Sequence, residues 1–424
     1  MSTALIFSIA AFIYLLFIWK SGKVFPILYL FLFVYFIQYV FSVYLIYNEY
    51  PILRRQMTIS QDLLFSYTIP ALLFLFAGVF LFNKDISLKE YVKKIDAVTA
   101  SRLGHLLLFI SFAAELLPIL GIPGIGSILS FTYYLRYIGA MCYLFSPSTI
   151  NYVLLVGVYM LLARDALQGG VFIDFFMWGA YLFFFISMRY NFSFKVRSTF
   201  ILIAVPLLIT IQAVKDEYRQ QTWSGKEESG LGLLTDLARQ NNGNDAPYAS
   251  SDGVISTVGR LNQGWHLGMV LKHVPSKEPF SSGDDFISDL GGVLIPRIFS
   301  PDKKFIGSQD KFEKFTGHTL HGSTSMTIGV LGDFYINFGR WGSFIGLFIF
   351  GAVMARLFYG FVKKYVIPDP INIIWIPFLF SYLVRANNDF YMVTNNLFKG
   401  FLIFLVVNYL RRQFWPSREP VVNR

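Results

Sequence analysis

The chain has 424 residues, of which 55% are hydrophobic, 18% aromatic and only 15% charged. Soluble domains carry about a quarter charged residues, so this composition excludes an ordinary soluble fold. A single cysteine, Cys142, excludes an internal disulfide framework and a cysteine-based metal cluster, while the net charge of +10 has to be judged from its distribution.

Apolar runs long enough to cross a bilayer core of about 30 Å recur along the chain. They predict spans at about 3–19, 25–47, 63–82, 105–121, 127–145, 149–163, 170–188, 198–214, 341–361, 371–385 and 393–410. The first run has no basic segment before it and is followed by Lys20 and Lys23, so it reads as a retained span with its N-terminus outside. Eleven spans then assign 20–24, 83–104, 146–148, 189–197, 362–370 and the tail from Arg411 to the inside. These segments hold about sixteen Lys/Arg against about five Asp/Glu, the positive-inside bias. The basic excess is therefore an orientation signal, and nucleic acid is not an expected partner. A twelfth span over 322–339 would put Lys363 and Lys364 outside, so eleven is preferred.

The expected fold is an all-α polytopic membrane protein, one integrated domain in three parts. Residues 1–214 form the N-terminal membrane helices, 215–340 an extracytoplasmic loop with a re-entrant or short helical segment, and 341–424 the C-terminal helices and inner tail. Within the loop, 222–253 is rich in Gly, Asn, Ser and charge and reads as mobile. Residues 254–274 read as one helix, with Val258, Leu261 and Trp265 on one stripe and Asn262, Gln263 and His266 on another face.

Ionisable groups within a membrane are costly and each is a functional candidate. Glu115 and Arg136 lie in the fourth and fifth spans and are expected to pair or to act. Asp174 and Lys399 lie nearer the outer boundary, where either can reach the headgroups. Polar groups also gather at one depth, at the outer helix ends. Arg164, Asp165 and Gln168 end the sixth span; KDEYRQQ ends the eighth, with Lys215 and Arg219 on one face. RANNDFYMVTNNLFK adds Arg385, Asn387, Asn388, Asp389, Asn396 and Lys399, and the loop adds Arg260, Arg297, His318 and His321. Arg and Lys at headgroup level suit a phosphate or pyrophosphate, and amides and aromatic rings suit sugar hydroxyls and faces. A lipid-linked phosphorylated glycan handled at the outer face is the substrate class these features suggest.

Other chemistries lack their motifs: there is no Walker A loop, HExxH or GxSxG. The spacing of His318 and His321 could ligate a metal on a helix, but glycines flank the pair and no third ligand is evident. No metal and no cofactor is expected.

The pieces KDEYR, RLNQGW, HVPSKEPF, LIPRIFSPDK, TGHTLHGSTSMTIGVLGDFYINFGRWG and NDFYMVTNNLFKG, in this order between Lys215 and Lys399, resemble the bacterial O-antigen polymerase (Wzy-like) family of repeat-unit polymerases. The resemblance covers somewhat under half the chain. It implies a GT-C-like fold and a metal-independent glycosyl transfer. A glycan on undecaprenyl pyrophosphate would be the donor, a second lipid-linked repeat unit the acceptor and undecaprenyl pyrophosphate the leaving group. It places the enzyme in the bacterial cytoplasmic membrane with its active face outside, with membrane lipids and a chain-length regulator as further partners. By the resemblance, Arg260, Arg297 and Arg385, then Lys215, Arg219 and Arg164, stabilise the pyrophosphate. His318, Asp333 and His266 are the candidates to orient or deprotonate the acceptor, although Asp333 stands where related chains more often carry Glu. Asn262, Gln263, Trp265, Tyr335, Asn337, Asn388, Asn396 and Lys399 are the expected sugar contacts. An O-antigen ligase shares the donor and the basic outer face, and a flippase of lipid-linked sugars is the remaining alternative from transport.

Overall fold

The computed structural model describes residues 3–116, 126–242, 251–294, 309–320 and 326–415. Among these there are helices and no strand, as a chain without water to satisfy its backbone requires. In chain order the main helices are α1 (Thr3–Lys20), α2 (Ile27–Asn48), α3 (Gln61–Phe82), α4 (Ala97–Leu116), α5 (Gly126–Tyr133), α6 (Leu135–Tyr143), α7 (Thr149–Gly169), α8 (Ile173–Arg189) and α9 (Phe194–Trp223). The segment between α9 and the next long helix carries α10 (Leu231–Asn242), α11 (Ser251–Leu261), α12 (Gly264–His273), α13 (Asp284–Leu294) and α14 (Gln309–Thr316). The chain returns through α15 (Gly329–Phe361), α16 (Trp375–Val384) and α17 (Phe390–Phe414).

Eight of the described helices are long and apolar enough to cross a membrane, so the protein is a polytopic α-helical membrane protein. Four details depart from the sequence expectation. The run 127–145 is broken at Tyr134 into α5 and α6, and the run 371–385 begins with a 3-10 turn at Pro370–Ile374. The loop helix expected over 254–274 is split at Asn262–Gln263, where the Asn262 side chain accepts from the Trp265 amide at 3.1 Å. Part of the stretch read as mobile, Leu231–Asn242, is the helix α10, and it packs its apolar face on α9 through Leu234 and Leu237.

Helix α15 is two arms joined by a reversal. Gly339 has φ 64° and ψ −171°, a conformation outside the helical range that a side chain would strain. The arms then lie side by side: a Cβ on Gly346 would come 2.6 Å from the Phe334 ring, and Phe334 meets Phe350 at 5.7 Å. The first arm runs from Gly329 to Gly339. That arm lies inside the protein, with Gly329 against the Tyr39 hydroxyl and the Ala386 carbonyl.

The second arm packs on α3 at backbone distance. A Cβ on Gly78 would collide with the Phe348 carbonyl, and one on Gly351 with the Leu75 carbonyl. Helices without side chains at the contact approach closely enough for dispersion to hold them in lipid. Gly351→Ala is expected to cost about 1–3 kcal/mol by overpacking, read as a lower unfolding temperature in detergent. An unchanged temperature would mean that α3 and α15 do not meet there.

Candidate functional site

The loop end of the bundle, where residues 224–328 connect the spans, gathers the polar side chains. Three groups stand out, each assembled from elements remote in sequence.

The first is basic. Lys215 and Arg219 project from the last turns of α9, and Arg260 from the end of α11, which lies along α9 with the Ser256 hydroxyl donating to the Gln212 carbonyl. The three cations lie within electrostatic reach of one another. Arg260 pairs with Asp216, Arg219 donates from Nε to the Gly170 carbonyl at 2.9 Å and stacks over Trp223 at 4.9 Å. Among the described residues, Asp216 is the acidic group acting on Lys215 and Arg219, against the three cations. Arg164 ends α7 nearby in sequence to Gly170, but pairs with Asp165 at 2.9 Å.

The second is a buried ionic cluster that the sequence did not announce. Lys311 Nζ of α14 lies 2.9 Å from Asp289 of α13 and 2.7 Å from Asp333 of α15. The other Asp333 oxygen accepts from the Phe390 amide at 2.7 Å, and the adjacent Asp389 caps α17 through the Met392 amide at 2.8 Å. Four elements thus meet on one lysine. Burial pushes the Asp289 and Asp389 carboxyls above their usual range, and Asp333 adds to the rise, while Lys311 opposes it. For Lys311, burial pulls its pKa down and the surrounding carboxylates outweigh that, leaving it above the usual lysine value.

The third joins Arg385 to Asp174 beside Tyr134, Trp178 and Tyr382. Tyr134 donates to Asp174 at 3.3 Å, and the Arg385 guanidinium lies 5.4 Å from the Tyr382 ring. The pair is neutral as a unit, unlike the α9–α11 cluster. Farther along, Arg136 and Glu115 form the expected pair, with Arg136 between the Phe112 and Tyr133 rings.

Three expected residues come together around α12. His318 is exposed and meets the Trp265 ring edge-on at 6.0 Å, and Trp265 lies 5.1 Å from His266. His266 has a buried Nδ1 without a hydrogen-bond partner and packs against Phe312 at 5.5 Å; burial lowers its pKa to about 4. Its neighbour Gln263 is likewise buried, with an unpartnered Oε1.

Most of the other expected sugar contacts are engaged by the backbone. Asn337 accepts from Phe286 N and donates to Asp333 O; Asn388 donates to Tyr382 O, and Asn396 to Leu379 O. Tyr335 donates to Val274 O, Asn262 accepts from Trp265 N, and Lys399 lies 5.6 Å from the Phe131 ring. Asp333, a candidate base in the sequence, is only 1% exposed and has both oxygens occupied. It serves as a joint between α14, α15 and α17, and no surface is left for an acceptor. Arg297 and His321 lie outside the described residues.

An apolar groove of about 810 Å³ runs between α13, α15, α16 and α17, lined by Leu290, Val293, Phe334, Ile349, Phe390 and Phe401 among others. Its walls carry almost no polar surface, with Arg356 and Lys364 toward one end.

Protonation of the ionic cluster has a measurable consequence. Asp289 titrates near 7 and Asp389 near 6 in the fold, against 3.8 for a free carboxyl, so between about pH 4 and 7 the folded chain holds protons that the unfolded chain has lost. That stability is lost as pH rises through the folded values. His266 acts oppositely, costing stability below 6.5, where the unfolded imidazole gains its proton. The two carboxyls outweigh the one imidazole, so the unfolding temperature is expected to rise as pH falls from 8 to about 5. Asp289→Asn should remove most of the rise; a profile unchanged by that substitution would contradict the assignment.

Comparison with family models, with curated proteins and with solved structures yields no match to this chain. The functional reading therefore rests on the residues themselves.

Proposed function

We propose that this protein is a GT-C-like membrane glycosyltransferase that polymerises undecaprenyl-pyrophosphate-linked oligosaccharide repeat units at the outer face of the bacterial cytoplasmic membrane. The observation that carries the proposal is the convergence of Lys215, Arg219 and Arg260, from α9 and α11, with Asp216 as the acidic group among them. Cations collected at a helix end against the positive-inside trend have a use there if the ligand is a phosphate or pyrophosphate. The apolar groove supports the same reading, since its lining suits an isoprenoid tail better than a sugar.

In the proposed reaction the acceptor hydroxyl oxygen bonds to the anomeric carbon of the donor's reducing-end sugar. The bond from that carbon to the pyrophosphate oxygen breaks, and the hydroxyl proton passes to a base. Arg260, Arg219 and Lys215 stabilise the charge that accumulates on undecaprenyl pyrophosphate as it leaves. Of the candidate bases, His318 is the one with access: it is exposed and set by the Trp265 edge and by its own amide, which donates to the Thr316 hydroxyl at 3.2 Å. His266 is partly buried, with its Nδ1 shut away from solvent, and Asp333 is occupied. Trp265 is then the aromatic surface for a sugar ring.

The test is incubation of the purified protein in detergent with lipid-linked repeat units, followed by sizing of the products. A ladder of lengths is expected. A single transfer onto a lipid A core acceptor would make the protein a ligase, and no transfer with either acceptor would sink the reading.

A further inference from the structure

Helix α13 has two apolar faces, and only one of them is covered. Its inward face is fixed by Phe286, which stacks on Phe390 at 3.9 Å and meets Phe334 at 5.3 Å, and by Asp289, held by Lys311. On the other side Ile287, Leu290 and Leu294 repeat at helical spacing and stand exposed, Ile287 by 70% and Leu294 by 60%. No ionisable residue interrupts that stripe, since Asp284 and Asp285 lie at the start of the helix and Asp289 faces inward. Phe338, at the reversal of α15 and 5.5 Å from Phe286, extends the apolar surface.

We propose that this face of α13 is seated in the lipid of the leaflet at the loop end, so that the helix forms the lipid-embedded outer wall of the apolar groove. The occupant follows from continuity. Leu290 and Leu294 line the groove together with Ile349, Val353 and Leu357, which project from the second arm of α15, a span whose exposed apolar residues face acyl chains. A surface that begins as the lipid-facing side of a span and passes without a polar break onto α13 has one solvent along its length. Trp341, 76% exposed at the start of the second arm of α15, is the residue type that settles at a membrane–water boundary. An amphipathic helix with an uncharged apolar face of this kind buries it among the upper acyl carbons. Lys311, by holding Asp289 on the opposite face, keeps the helix from rolling. Any molecule that enters the groove sideways passes this wall. The inference concerns the helix and its solvent, and stands whether or not the proposed reaction is correct.

The experiment uses single thiols in the full chain, with Cys142→Ala removing the native one. Ile287→Cys and Leu294→Cys are labelled with an environment-sensitive fluorophore, with Ile349→Cys as the lipid-facing reference and Lys277→Cys as the aqueous reference. The protein is placed in phosphatidylcholine nanodiscs carrying a nitroxide near the top of the acyl chain, and iodide is the aqueous quencher. Fluorescence at 287 and 294 is expected to be quenched by the nitroxide to an extent like that at 349, and to be shielded from iodide. Quenching by iodide as at 277 would overturn the proposal, because the face would then lie in water. Shielding from both quenchers would also overturn it, since another protein or a second copy of this chain would then cover the face.

Discussion

Lys311→Met is expected to lower the stability of the protein by about 3–5 kcal/mol, the cost of removing one partner from a buried ion pair. The lysine is 11% exposed and its partners Asp289 and Asp333 are 2% and 1% exposed, so water does not compensate. Without the ammonium, the carboxylates of Asp289, Asp333 and Asp389 share one site, and they relieve the repulsion by taking up protons. The defect is therefore larger at pH 8 than at pH 5. Because the cluster joins α13, α14, α15 and α17, the loss is global, and thermal unfolding in detergent is the measurement. Adding Asp289→Asn to Lys311→Met removes one stranded charge and should restore part of the loss. A Lys311→Met protein as stable as the parent at pH 8 would mean that the four elements do not meet at this residue.

Arg260→Gln is expected to lower the rate of polymer formation by about 10–100-fold, the worth of one charge-assisted hydrogen bond of about 1.5–3 kcal/mol. Its unfolding temperature should stay close to that of the parent. The separation follows from its partner: the Asp216 side chain is 73% exposed, and exposed ion pairs contribute little to stability. Arg385→Gln is the informative contrast. Its partner Asp174 is 29% exposed and contacts Tyr134, so loss of the guanidinium strands a half-buried carboxylate and destabilises the fold as well. Asp174→Asn combined with Arg385→Gln should recover stability. If activity recovers with it, Arg385 is a structural residue; if activity stays low while stability returns, Arg385 also meets the substrate. Unchanged activity in Arg260→Gln would remove the basic cluster from the site.

The candidate site was legible in parts. The i and i+4 spacing of Lys215 and Arg219 already placed them on one face, and a basic residue at a loop helix end marked Arg260. That the two meet depends on α11 lying along α9, a contact spanning the loop. Asn337, Asn388 and Asn396 read as sugar contacts because amides at the outer helix ends suit sugar hydroxyls. They find their partners instead in nearby carbonyls and amides, which a sequence does not display. Lys311 and Asp289 escaped notice for a related reason: in a hydrophilic loop a lysine or aspartate reads as solvated, and only packing reveals burial.

By itself, the sequence determined that the chain crosses a membrane many times as helices, and it marked the polar end of the bundle. Hydropathy and helix length are local properties set by the bilayer, so they survive without knowledge of the neighbours. It also marked GHTLHGSTSMTIGVLGDFYINFGRWG as a segment unlike its surroundings, through its glycines and mixed polarity. Only the tertiary structure decided what that segment does. Gly339 reverses the chain, the arm before it is buried, and Asp333 is committed to Lys311 while His318 is left exposed. Which of two titratable groups is free is a question of partners and solvent access, and those are set by elements far away along the chain.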